Sequence, residues 1–124
     1  MSHLELHAQL KIRPGQLEGF KAQAGEIVRL AQEQDTQTLR FDWFISEDGT
    51  QCEVHETYED EAGFLEHTQH IMEARAKLFS HFVDGHHVAV YGDVPQRIAD
   101  IANVHAGGLD HYSFLQGLQP APMV

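Results

Sequence analysis

The chain has 124 residues, one cysteine and a formal charge of −11, from eight Lys and Arg against nineteen Asp and Glu. A chain of this length makes one domain burying roughly two-thirds of the surface it would expose unfolded, and the lone Cys52 excludes an internal cystine framework. The negative charge sets aside nucleic acid and anionic membranes as partners; with no apolar run long enough to span a bilayer and no basic-then-apolar leader at Met1-Ser2-His3-Leu4-Glu5, a soluble cytoplasmic protein is expected.

From His3 to Ile12, Leu4, Leu6, Ala8, Leu10 and Ile12 alternate with His3, Glu5, His7, Gln9 and Lys11, the period of two that marks a half-buried strand. Pro14-Gly15 breaks it. Gln16 to Gln34 then carries Leu17, Phe20, Ala24, Ile27 and Ala31 at steps of three and four, an amphipathic helix. A second strand, Thr38 to Ser46, sets Leu39, Phe41, Trp43 and Ile45 against Arg40, Asp42 and Phe44. Asp48-Gly49 turns the chain into a return strand, Gln51 to Tyr58, with Cys52, Val54, Glu56 and Tyr58 on one face.

Asp60 suits the N-cap of a second helix, whose stripe is Phe64, Leu65, Thr68, Ile71 and Met72. Past His70, the steps Ala74, Leu78 and Phe82 imply a kink, and Asp84-Gly85 a stop. His86 to Gly92 reads as a fourth strand. Asp93 and Pro95 open a third helix carrying Ile98, Ile101 and Ala102, which Gly107-Gly108 ends before a short strand-like piece, Asp110 to Leu115. Residues 119–124 read as a loose tail. The order βαββαβ plus an αβ unit predicts an α+β, ferredoxin-like fold with an antiparallel sheet and helices on one face. Residues 1–118 form its single domain, with a core at 4–92 and an extension at 93–118. The uncovered face carries Phe44, Ala89 and Tyr91 among polar groups, so a homodimer packed sheet to sheet is expected.

These features, taken in order, carry a resemblance. A first strand ending in Ile12-Arg13-Pro14-Gly15, a long helix opening near Leu17-Glu18-Gly19-Phe20, the run Arg40-Phe41-Asp42-Trp43-Phe44, and Glu56-Thr57-Tyr58 followed by His67 resemble the antibiotic-biosynthesis-monooxygenase family of dimeric α+β barrels. The resemblance covers residues 4 to 92; the segment from Asp93 matches some longer members. It implies a pocket between sheet and helices and leaves the activity open, because relatives include cofactor-independent oxygenases, heme-degrading enzymes, isomerases and proteins of no known reaction.

An oxygenase without metal or flavin must make its substrate electron-rich, usually by removing a proton, and a histidine oriented by a carboxylate suits that task. At 100° per residue His67 falls on the flank of the second helix's stripe and His70 nearly opposite. His67, with Glu56 as its orienting carboxylate, is therefore the candidate catalytic pair; Trp43, Tyr58 and Phe64 are candidate substrate-binding residues. Each has a structural alternative: His67 as a buried hydrogen-bonded post, Trp43 and Tyr58 as packing. The opposite sheet face gathers His7, Gln9, Arg40, Asp42, His55, Thr57 and Tyr91, either a polar dimer interface or a second cavity.

No metal is expected from His67-x-x-His70 or from His86-His87, whose side chains diverge on a strand. No cofactor is expected either, since the phosphate-cradling and dinucleotide-binding glycine fingerprints are absent. Cys52 on an apolar strand face reads as a small core residue. By the same resemblance a heme-degrading role is disfavoured, because the first strand offers His7 and Gln9 where heme-degrading relatives use an asparagine. The sequence reading is thus a cofactor-independent monooxygenase for a small electron-rich aromatic or quinol-like metabolite. The alternatives are a non-enzymatic dimeric small-molecule-binding or stress-response module, and an isomerase of the same fold.

Overall fold

The computed structural model describes residues 3–103 and 107–118; the expected loose tail lies outside them. Its elements run β1 (Leu4–Ile12), α1 (Leu17–Gln34), β2 (Thr38–Ile45), β3 (Gln51–Tyr58), α2 (Glu61–Phe82), β4 (Val83–Tyr91), α3 (Gln96–Ala102) and β5 (Leu109–Tyr112). The sheet order β2-β3-β1-β4-β5 puts β1 at the centre. This is the ferredoxin-like α+β plan with an added αβ unit.

Two corrections concern the sheet. It is mixed rather than antiparallel, because β5 joins β4 in parallel. The reason lies in the connection: α3 is a helical crossover, which returns the chain in the direction it left. The fourth strand also begins at Val83 instead of His86. Val83 is a buried β-branched residue paired with Ile12, and the Arg13 guanidinium satisfies the carbonyls of Ser80 and Val83 at 3.2 and 3.1 Å. The helix end is thus capped in trans, and the chain passes straight from helix into strand.

The second helix runs unbroken from Glu61 to Phe82. Its buried residues are Gly63, Phe64, His67, Ile71 and Leu78, while Leu65 and Met72 are exposed. The buried stripe therefore runs Phe64, His67, Ile71 and Leu78, with Leu65 and Met72 outside it. Asp60 caps it as expected, accepting from the Gly63 amide at 3.0 Å. Gly63 has a packing reason to be glycine: a Cβ there would stand 2.9 Å from Gln37 Cβ. At the β2–β3 turn Gly49 takes φ of +73°, while Asp48 accepts hydrogen bonds from Ser46 and Thr50.

The apolar residues of β1 all point to the helix side and are buried. They join two clusters. One gathers Phe20, Ile27, Val54, Ile71 and Leu78 under α1 and α2. The other gathers Leu6, Tyr58, Phe64, Val88 and Ile98, with α3 packed upon it. Each large side chain withdrawn in this way contributes about 1.5–3 kcal/mol of transfer free energy. No helix among the described residues is long and apolar enough to cross a membrane.

Candidate functional site

Between the two clusters lies a cavity of about 60 Å³ on the helix side of the sheet. Strand register builds its floor: Glu56 is paired with Leu6 on one side and Phe41 on the other, and Trp43 follows two residues beyond Phe41 on the same face. From above, Phe64, Ile71 and Arg75 descend from α2, and Ala102 closes the α3 side. Its polar lining is Glu56, Arg75, His86 and the indole of Trp43. Room exists for several waters at about 10–15 Å³ of accessible volume each, well short of the roughly 300–1,000 Å³ of ordinary ligand pockets. A ring-sized ligand must part the walls.

Glu56 and Tyr58 stand two residues apart on one strand face, so their side chains run side by side. The Tyr58 hydroxyl donates to Glu56 Oε1 at 2.5 Å. Burial first, then the neighbouring Glu56 charge, lift the Tyr58 pKa well above the usual tyrosine value. Tyr58 therefore remains a protonated donor committed to Glu56. Arg75 reaches the same cavity from α2 and feels Glu56 electrostatically; burial pulls its pKa down, with Glu56 and Tyr58 acting against that pull.

His67 is 2% exposed, and its carboxylate partner differs from the expected one. Asp35, at the C-terminus of α1, lies 2.6 Å from His67 Nδ1 through Oδ2 and 2.7 Å from His70 Nδ1 through Oδ1. Thr38 Oγ1 donates to the same carboxylate at 2.7 Å. Burial opposes the charged form of Asp35, but the hydrogen bonds from His70, His67 and Thr38 outweigh it and hold the pKa below the ordinary value. An ionised carboxylate only accepts, so both imidazoles donate from Nδ1, and in the neutral tautomer this leaves His67 Nε2 as the acceptor. That Nε2 is buried with no partner among the described residues. The His67 ring meets Phe41 edge-on at 4.5 Å and Tyr58 at 5.2 Å. It stands behind the cavity wall.

Of the five residues singled out from sequence, Glu56, Trp43 and Phe64 line the cavity, and Tyr58 and His67 back it. Trp43 keeps a buried indole N–H without an acceptor among the described residues. Burial pushes the Cys52 thiol up to about 11, which removes it as a nucleophile at neutral pH. Sequence reasoning missed Asp35 and Arg75. It also missed that His67 and His70 converge on a single carboxylate.

On the opposite sheet face His7 and His55 are cross-strand partners whose rings stack at 3.9 Å. Each ring also meets a carboxylate, Glu5 at 3.0 Å and Glu53 at 2.8 Å. His7, Glu53 and His55 bring three potential metal-ligand atoms within 4.8 Å, as do Asp35, Glu66 and His70. Neither set fits an ion well. Parallel stacked imidazoles aim their lone pairs past one another, and Asp35 already accepts from three side-chain donors.

Residues 4–87 match the family described as antibiotic biosynthesis monooxygenase. Among solved structures, MupZ from Pseudomonas fluorescens superposes with a TM-score of 0.71 at 18% identity, over 100% of this chain and 99% of that one. A protein from Pseudomonas aeruginosa gives 0.66 at 15% identity, over 77% of this chain and 97% of that one. A putative antibiotic biosynthesis monooxygenase from Nitrosomonas europaea gives 0.64 at 17%, over 74% and 90%. At these identities the likeness is one of fold. The first extends through the C-terminal αβ segment, whereas the other two cover about three-quarters of the chain. No curated protein matches the sequence.

Proposed function

The chain belongs to the antibiotic biosynthesis monooxygenase family, and we propose that it is a cofactor-independent monooxygenase for a small electron-rich aromatic or quinol-like molecule bound in the helix-side cavity. The observation that carries this reading is Glu56, a carboxylate on the floor of a mainly aromatic and aliphatic cavity that also holds Arg75 and His86, fixed by Tyr58 at 2.5 Å. Glu56 takes a proton from the ligand. His67, its Nε2 open as an acceptor because Asp35 holds Nδ1, is the second proton-accepting group, reached when Phe41 yields. Trp43 and Phe64 hold the ring, and Tyr58 orients Glu56.

The electron balance suits the substrate class. One atom of O₂ enters the ring, and the substrate itself supplies the two electrons and two protons that take the other atom to water, so a phenol leaves as a quinone. Oxygen uptake over a panel of phenols and hydroquinones tests the reading. Uptake by the wild type, with kcat falling about 10²- to 10⁴-fold in Glu56→Gln, supports it. His67→Ala with unchanged turnover per folded molecule returns His67 to a structural role. The small cavity and the recessed His67 favour one second reading, a binding module, recognised by ligand binding with no oxygen uptake. In either reading the protein is a homodimer packed through the outer sheet face, where Phe44 is 49% exposed.

A further inference from the structure

Three histidines stand on the helix-free face of the sheet, and each is bonded to its own carboxylate. His7 Nε2 lies 3.0 Å from Glu5, His55 Nε2 2.8 Å from Glu53, and His87 Nε2 2.8 Å from Asp110. Register puts them on one side: His7 pairs with His55 and Ala89, Gln9 with Glu53 and His87, and Ala89 with Asp110. The imidazoles are more sheltered than their carboxylates, which are about half exposed. An aromatic row runs between the pairs. Tyr112 stacks on Tyr91 at 5.5 Å, Tyr91 meets His7 at 4.7 Å, His7 stacks on His55 at 3.9 Å and His55 meets Phe44 at 4.8 Å, so the row spans the sheet from β5 to β2.

While the imidazoles are neutral, the charges on this face do not cancel. Arg40 and Asp42 on β2 offset one another in their own ion pair at 2.7 Å. That leaves the carboxylates of Glu5, Glu53 and Asp110 against Lys11 on β1, a net of two negative charges per copy among the described residues. The other titratable groups on the face are Tyr91, kept neutral because burial lifts its pKa, and Tyr112 at the exposed end of the row. Two copies laid face to face would set these charges against their duplicates where water is excluded and like charges repel most. Protonating an imidazole removes that repulsion without moving a side chain: its bond to the carboxylate becomes charge-assisted and the pair becomes neutral. The His7 and His55 rings are parallel to within 4°, so a full charge on both is disfavoured. We infer that pairing of two copies through this face is driven by proton uptake, about two protons per subunit, one held by the His7–His55 stack and one by His87, so that the dimer tightens as pH falls from 8.5 to 6.5. This rests on the homodimer reading given above. The sign follows from linkage: the state that binds more protons gains as pH falls, and here that state is the dimer.

The test is sedimentation equilibrium of the full-length protein from pH 6.5 to pH 8.5 in 0.5 M NaCl. A Debye length of about 4 Å at that salt screens the overall charge of −11 between copies while leaving contacts inside the interface in force. The dimer Kd is expected to fall by about tenfold or more from pH 8.5 to pH 6.5. Two sets of substitutions then act in opposite directions. Glu5→Gln with Glu53→Gln and Asp110→Asn keeps the shapes and removes the anions, so at pH 8.5 this dimer is tighter than the wild type and no longer tightens in acid. His7→Gln with His55→Gln and His87→Gln removes the groups that gain protons, and its dimer stays as weak at pH 6.5 as at pH 8.5. His81→Gln, at an exposed position near the end of α2, leaves the wild-type profile unchanged. Circular dichroism checks folding; if either triple variant does not fold, Glu53→Gln alone decides, by a tighter dimer at pH 8.5. A wild-type dimer whose Kd is flat or rises in acid, or carboxylate variants no tighter at pH 8.5, overturns the inference and leaves the homodimer standing. A chain that is monomeric at every pH overturns both.

Discussion

Asp35 Oδ2 lies 2.6 Å from Nδ1 of His67, joining the C-terminus of α1 to the second turn of α2 across 32 residues of sequence. An acid at a helix C-terminus works against the helix dipole. Here it is held by three side-chain donors, His67, His70 and Thr38. Asp35→Asn removes the charge that both imidazoles are bonded to and leaves an amide that must turn its N–H₂ toward one of them. We expect a loss of about 1.5–3 kcal/mol in urea unfolding, the range for hydrogen bonds to a charged group.

The same carboxylate gives a pH signature. Its folded pKa lies below the ordinary value, so it contributes stability that is fully present above the unfolded pKa of about 3.9 and is lost as pH falls through the folded value. Between pH 5 and pH 2 the wild type should therefore lose stability more steeply than Asp35→Asn. Parallel acid-unfolding curves for the two proteins would contradict the assignment.

Cys52 offers a chemical check on the fold. The thiol is buried on the apolar face of β3 and pushed up to about 11. At pH 8 its thiolate fraction is roughly two hundredfold below that of an ordinary cysteine with pKa near 8.5. Labelling by an aromatic disulfide should be slower than for a free thiol by at least that factor, and should reach the free-thiol rate in denaturant. Rapid labelling of the native protein would mean that β3 is not packed as described.

The strands and the two long helices were legible because their signals are local. Alternation in β1 and the Asp60 cap depend on neighbours a few residues away. The lining of the helix-side cavity was legible in part. Glu56, Trp43 and Phe64 follow from strand and helix phase, but the partner of His67 does not: Glu56 is only eleven residues from His67 and looked like the natural carboxylate, whereas Asp35 reaches it through the packing of α1 on α2. One clue was present, an acid where the helix dipole disfavours it. Arg75 also had a signal, a charge at the spacing of Ile71 and Leu78, which the drifted phase of the α2 stripe concealed. The parallel β5 required knowing that α3 crosses over, and four residues carry too little pattern to say so.

The seven-residue α3 is too short to be stable by itself. It is held by Ile98, which is 0% exposed against Leu6, Tyr58 and Val90 of its cluster. Ile98→Ala should cost about 2–5 kcal/mol. Because Ala102 of the same helix closes the cavity, loosening α3 should also speed ligand entry, read as faster Trp43 quenching by 4-nitrophenol. A change in stability below about 0.5 kcal/mol would show that the segment does not pack on this core in solution.

The outer sheet face yields the prediction on assembly. Helices cover only one side of the sheet, and on the other Phe44 is half exposed, with its ring 4.8 Å from His55 and Arg40 lying 6.0 Å above it. The His7–His55 stack beside it, with Tyr91 at 4.7 Å from His7, makes an aromatic centre. Arg40 and Asp42 are already bonded to each other at the rim, which lowers the cost of covering them. Two copies related by a two-fold axis present the same centre to one another, the geometry of an isologous interface. Sedimentation equilibrium should therefore give a dimer, and Phe44→Asp should weaken it at least about tenfold, since a buried unpaired charge costs more than 1.4 kcal/mol. The variant keeps the helix-side cavity intact, so 4-nitrophenol binding measured in the monomer separates loss of assembly from loss of fold. A wild type that stays monomeric at high micromolar concentration would leave this sheet face solvated and require that its aromatic centre serve something other than a second copy.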